Sequence, residues 1–215
     1  MQTPKIYDVS LPLHSGLPVW QGDPPAVIEQ ISSIEKGDLT NCSRIASSLH
    51  WGTHIDAPFH LYSDCRTIEQ IPLEVLIGPA RVIEIKDALQ VTSADLMGFN
   101  LTGVQRLLIK TRNSKFWGED PLIFHQDFTA LTPDAAEHLL KIGVKLIGID
   151  YFSIDLFDAE NLPVHRILYR QNIVGIEALD LRGISPGDYQ LICLPLKILQ
   201  GDGAPARVVL KNVIE

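Results

Sequence analysis

Four side chains able to hold a metal, His50, His54, Asp56 and His60, fall within eleven residues, in the run Ser47-Ser-Leu-His50-Trp-Gly52-Thr-His54-Ile-Asp56-Ala-Pro58-Phe-His60. Three imidazoles and a carboxylate form a ligand set for a first-row transition metal, zinc being the usual choice and manganese or iron also compatible. A core cannot bury such a group cheaply unless something neutralises it. The chemistry this points to is metal-assisted hydrolysis, in which a bound ion activates water.

The run reads as extended backbone. Gly52 is a poor helix former, Thr53 and Ile55 are β-branched, and Pro58 pushes Ala57 towards an extended conformation. On a strand, positions 50, 52, 54 and 56 point to one side, so Gly52 is expected to leave room for an ion. Asp56, with two oxygens, could bridge two ions. His60 lies beyond the bend at Pro58 and approaches from another direction, as a proton carrier or a further ligand.

The rest of the chain must position this cluster. With 215 residues and no internal repeat, low-complexity tract or linker, residues 1–215 are expected to form one domain. Short apolar, β-branched runs recur at 6–11, 44–50, 80–85, 106–110, 145–149, 173–176, 189–194 and 206–210, most bounded by Gly, Pro, Asp or Asn. The clearest helix is Pro133–Ile142, with Thr132 as N-cap, Pro133 at the first helical position and Gly143 closing it. A weaker helix is expected over 93–96. The sum is an α/β fold with a mixed sheet.

Composition narrows the partners. Eighteen Lys and Arg against 26 Asp and Glu give a net charge of −8, and no two basic residues are adjacent. That excludes the electrostatic footprint of a nucleic-acid or anionic-membrane binder and favours a small substrate. Cys42, Cys65 and Cys193 are isolated and odd in number, as expected of small buried hydrophobes in a reducing compartment. No signal segment or membrane-length apolar run is visible, which reads as cytoplasmic.

One strand does not supply enough ligands for a pair of metals. His165, in Asn161-Leu-Pro163-Val-His165, and Glu177, ending the apolar run 173–176, are the candidates; the alternatives are a loop histidine and a surface carboxylate. Asp150 and Asp155 are expected to fix turns, either with a possible orienting role towards His165. Arg207 could orient a carboxylate substrate or pair with Asp202, the pairing being the favoured reading.

The chain resembles the cyclase-like metal-dependent hydrolases, the family of the bacterial kynurenine formamidases. The resemblance rests on His50-Trp-Gly52-Thr-His54-Ile-Asp56-Ala-Pro58-Phe-His60, on Pro18-Val-Trp20-Gln-Gly22-Asp23, on Leu162-Pro-Val-His165 and Glu177, and on the tail Gly201-Asp-Gly203-Ala-Pro205-Ala-Arg207. Gln21, Trp51 and Cys65 depart from the usual pattern. The resemblance implies a swivelling β/β/α fold and a homodimer or higher homo-oligomer. It implies that His50, His54 and Asp56 hold one zinc. Asp56 and Glu177 would bridge to a second zinc held also by His165, and manganese is an alternative metal. His60 would carry the proton and Trp20 would pack on a small aromatic amide. The implied reaction is hydrolysis of N-formylkynurenine to kynurenine and formate. Rival readings are a cyclic-amide (isatin-like) hydrolase or cyclase on the same site, and a metal-binding protein without catalysis.

Overall fold

The computed structural model describes residues 4–213. Among the described residues, twelve strands and four α-helices form a mixed α/β structure. In chain order they are β1 (Ile6–Asp8), β2 (Val27–Ser32), β3 (Cys42–Ala46), β4 (His54–Asp56), α1 (Leu73–Leu76), β5 (Ile77–Glu84), β6 (Gln90–Val91), α2 (Ser93–Met97), β7 (Arg106–Lys110), β8 (Ala130–Leu131), α3 (Pro133–Ile142), β9 (Leu146–Ile149), α4 (Pro163–Tyr169), β10 (Val174–Glu177), β11 (Gly187–Pro195) and β12 (Gly203–Asn212).

Eight strands make one sheet in the order β1-β12-β11-β5-β7-β9-β10-β4. A further pairing of β4 with β12 closes seven of them into a barrel. The run β5-β7-β9-β10 is parallel. The seam strand β4 is antiparallel to both neighbours, as Glu177↔His54 and Gly175↔Asp56 on one side and Gly203↔Asp56 on the other. β2 and β3 form a separate hairpin whose Ile31 and Ile45 are exposed.

Strand periodicity decides which face each residue occupies. On β7, Leu108 joins the barrel-interior cluster with Val82, Leu146, Leu191 and Val208. Leu107 and Ile109 turn outward and pack with Leu96 of α2, Leu139 of α3 and Leu168 of α4. The same rule fixes the site. Ile55 of β4 and Val174 and Ile176 of β10 point inward, so His54, Asp56, Gly175 and Glu177 share the outer face, beneath α4.

Most expected elements are present, 106–110 and Pro133–Ile142 with the same ends. The Thr132 side chain does not cap α3; its hydroxyl donates to Val91 O at 3.1 Å while Gly143 ends the helix in the left-handed conformation. The run 44–50 ends as a strand at Ala46, so His50 lies in a turn and not on an extended strand. Of the cysteines, Cys193 is buried, Cys65 half-buried and Cys42 exposed, so the expectation of three buried thiols holds for one. No described helix is long and apolar enough to cross a membrane.

Candidate metal centre and active site

Two short strands and one helix place the inner residues. His54 and Asp56 come from β4, Glu177 from the last position of β10, and His165 from the first turn of α4. All four are between 1% and 4% exposed. The ligand-competent atoms form two triads, His50/His54/Asp56 and Asp56/His165/Glu177, each with its atoms within 4.8 Å of one another. Asp56 belongs to both. A third grouping joins His50, His60 and Asp202.

Each imidazole of the two triads has one nitrogen tied away from the centre. His54 Nδ1 donates to Gly52 O at 2.8 Å, His165 Nδ1 to Asp155 Oδ2 at 2.6 Å, and His50 Nε2 to Asp202 Oδ2 at 2.9 Å. Those bonds set the tautomers and leave the remaining nitrogen of each ring facing inward. His54 Nε2 is buried without a hydrogen-bond partner, 3.1 Å from Asp56 Oδ1 and 3.5 Å from Glu177 Oε2. His165 Nε2 lies 3.5 Å from Asp56 Oδ2 and 3.3 Å from Glu177 Oε1, and His50 Nδ1 lies 2.7 Å from Asp56 Oδ1. A buried imidazole nitrogen aimed at two carboxylates calls for positive charge there, from a proton or a metal ion. The residues therefore fit a divalent ion at each triad.

The electrostatics say the same. Burial works against a charged His50 ring, yet Asp56 and Asp202 on its two sides raise its pKa to about 10. Burial likewise opposes charge on His165, and Asp155, Asp56 and Glu177 outweigh it and hold the pKa well above the usual value. Asp56 is fully buried, which favours its neutral form, but His50, His165 and His54 keep its pKa well below the carboxylate range. The pocket is a demand for positive charge, met by protons when no metal is bound.

Local sequence explains each placement. Leu162 adopts a left-handed conformation (φ 50°) and Pro163 then starts α4 at its first position. Asp155 accepts from the backbone N–H groups of Val164 and His165, both at 2.9 Å, as well as from the His165 ring. One carboxylate thus caps the helix and aims its histidine. Four residues on, the Tyr169 hydroxyl donates to Asp56 Oδ2 at 2.9 Å. Glu177 Oε1 accepts from Ile154 N at 2.8 Å. Gly52 does not make room for an ion, as its place on a ligand-bearing strand had suggested. Its φ is +65°, and a Cβ there would sit 2.3 Å from Leu13 Cδ2.

The centre opens into a cavity of about 120 Å³. His60, from the single turn Pro58–His60, stands at its edge, its ring centroid 4.2 Å from that of His50 and its Nδ1 3.6 Å from Asp202 Oδ2. Trp20, Phe152 and Leu162 form apolar walls. Trp20 packs edge-on against Phe124 at 5.5 Å and also meets Phe157, so it anchors its loop and lines the cavity at once.

The structure brings together every residue singled out from the sequence: His50, His54, Asp56, His60, His165, Glu177 and Trp20. The alternatives of a loop histidine and a surface carboxylate are not met: His165 lies on a helix and Glu177 is buried. The expected partner of Arg207 is corrected. Arg207 pairs with Asp8, leaving Asp202 to the two histidines. Asp202 and Tyr169 were missed. The run Gly201-Asp-Gly203 was a usable signal for the first; for the second, only a helix through His165 would have put it four residues along on the same face.

Comparison with known proteins places this architecture. A family model named Cyclase matches residues 7–156, and the chain belongs to that family of proteins. Among individual relatives, it is similar to a kynurenine formamidase of Bacillus anthracis, 35% identical over 213 residues, covering 99% of this chain and 100% of the relative. A solved structure described as a potential metal-dependent hydrolase with cyclase activity is 32% identical with a TM-score of 0.85, covering 99% of this chain and 100% of the other. An isatin hydrolase shares the fold at 24% identity and a TM-score of 0.83, over 97% and 92% of the two chains.

Proposed function

We propose that this chain is a metal-dependent amidohydrolase that cleaves N-formylkynurenine to kynurenine and formate. The observation that carries the reading is the convergence of three imidazole nitrogens, each with its other nitrogen tied back, on Asp56 and Glu177 beneath an aromatic-walled cavity. The full-length likeness to a kynurenine formamidase supports the substrate.

In this reading His50, His54 and Asp56 hold one ion, and Asp56, His165 and Glu177 hold the second. Zinc is the first choice for these ligands, with manganese the alternative. A bound ion supplies a water acidified from a pKa of ~16 towards ~7 and a Lewis acid for the carbonyl oxygen. Trp20 and Phe152 hold the aryl ring. His60, at the cavity edge and outside both triads, takes up the proton and returns it to the leaving aryl amine. Asp155 and Asp202 keep their histidines in the productive tautomer. The reading includes a homo-oligomer, for which the exposed apolar side chains Ile31 and Ile45 of the β2–β3 hairpin offer a contact surface, and a cytoplasmic location.

The test is metal content of the purified protein together with formate release from N-formylkynurenine, with and without chelator. Bound zinc or manganese and chelator-sensitive release are expected. Metal-dependent ring opening of isatin without formate release would move the substrate to cyclic amides. No metal and no turnover after adding either ion would overturn the assignment.

A further inference from the structure

Beyond the histidines and carboxylates of the centre, one charged side chain lines the cavity, Asp23, and among the described residues no Lys or Arg does. Asp23 is held in place. Its Oδ2 accepts from Ser48 Oγ at 2.7 Å, and its N–H donates to Trp20 O at 3.0 Å, closing a turn through Gly22 (φ +100°). The turn thus presents an aromatic ring and a carboxylate to the same cavity, suited to neighbouring parts of a single ligand. Ser48 engages one oxygen; a carboxylate has about four acceptor positions, so capacity remains for a ligand.

We propose that Asp23 determines specificity by charge: the site favours aryl formamides whose side chain carries an ammonium group and disfavours those whose only side-chain charge is a carboxylate. The proposal rests on the formamidase reading. Its physical basis is that a metal centre attracts any carboxylate, so an anionic side chain competes with the formyl carbonyl for the ions. A fixed negative charge in the lining raises the energy of that inverted pose and lowers that of an ammonium beside it. In N-formylkynurenine, which has both groups, Asp23 pairs with the ammonium and leaves the carboxylate towards the opening.

The test uses two formanilides with ortho acyl chains of equal length, one ending in an ammonium and one in a carboxylate, on the metal-loaded full chain. Wild type is expected to favour the ammonium compound in kcat/KM. Asp23→Asn is expected to shrink that ratio by about 10- to 100-fold, the scale of a hydrogen bond to a charged group. Ser48→Ala, which removes the support but keeps the charge, is expected to preserve the ratio. An equal loss on both compounds in Asp23→Asn would mean that the residue only braces the Ser48 turn, and would overturn the proposal. If wild type hydrolyses neither, the formamidase reading fails, and charge selection is then read from calorimetric binding of the two corresponding anilines. A preference that Asp23→Asn leaves unchanged, or no preference in wild type, overturns it there as well.

Discussion

Gly175 on β10 sits directly opposite Asp56 on β4, and its missing side chain is where the Tyr169 hydroxyl lies: a Cβ built on Gly175 would be 2.5 Å from Tyr169 Oη. That absence lets the helix place a donor on the carboxylate shared by both triads. Gly175→Ala is expected to cost about 1–3 kcal/mol of stability through overpacking, measured by denaturant unfolding. In a Tyr169→Phe background the cost should shrink, because the clashing atom is gone. Additive losses in this double-mutant cycle would show that the two residues do not share the space.

Asp155 caps α4 and holds His165 Nδ1. Asp155→Asn keeps the size but removes the charge that receives three N–H groups. The expected result is about 10- to 100-fold weaker binding at the Asp56/His165/Glu177 triad, the usual effect of losing a carboxylate that orients a ligand histidine. A competition titration against a chromophoric chelator would resolve the two sites. Equal weakening of both would place the effect in the fold rather than in the aim of one ring.

His60 is outside both triads formed by the inner ligands, and its ring is half-buried at the cavity edge. His60→Ala is therefore expected to retain the metal measured by elemental analysis and to lose about 10²- to 10⁴-fold in kcat. Parallel loss of metal and turnover would make His60 a ligand instead.

The Gly52 carbonyl accepts from His54 Nδ1, and the residue needs φ +65° where a Cβ would strike Leu13. Gly52→Ala combines left-handed strain with a clash and should cost about 2–4 kcal/mol. Thermal unfolding checks the stability loss, and weaker metal retention should accompany it as His54 loses its fixed acceptor.

Much of the site was legible because the candidate ligands are chemically unusual in sequence. His50, His54, Asp56 and His60 stand out by type alone, and the outward face of β4 follows from the alternation of Ile55 with His54 and Asp56. What the chain did not announce is the chemistry that depends on long-range neighbours. Asp202 faces His50 because β12 pairs with β4; the run Gly201-Asp-Gly203 marks the residue but not its partner. The Arg207–Asp202 pairing fails because Asp202 precedes β12 and turns to His50 and His60, while the adjoining β1 puts Asp8 beside Arg207. The helix through His165 was hidden because it is short and opens on a left-handed Leu162, a conformation that no apolar pattern signals.

The seam of the barrel also has a consequence for how the protein is made. β4 is hydrogen-bonded between β10 and the beginning of β12, with Asp56 opposite both Gly175 and Gly203. A nascent chain therefore carries its candidate metal-binding histidines out of the ribosome long before the partner that locks them exists, and joining such distant segments is slow. Until β12 emerges, the ligand strand has an unpaired edge open to mispairing or premature capture of the wrong ion. The order of synthesis delays completion of the centre until the last strand arrives, so a chain cut short before Gly203 should be open at its seam and poor at keeping metal.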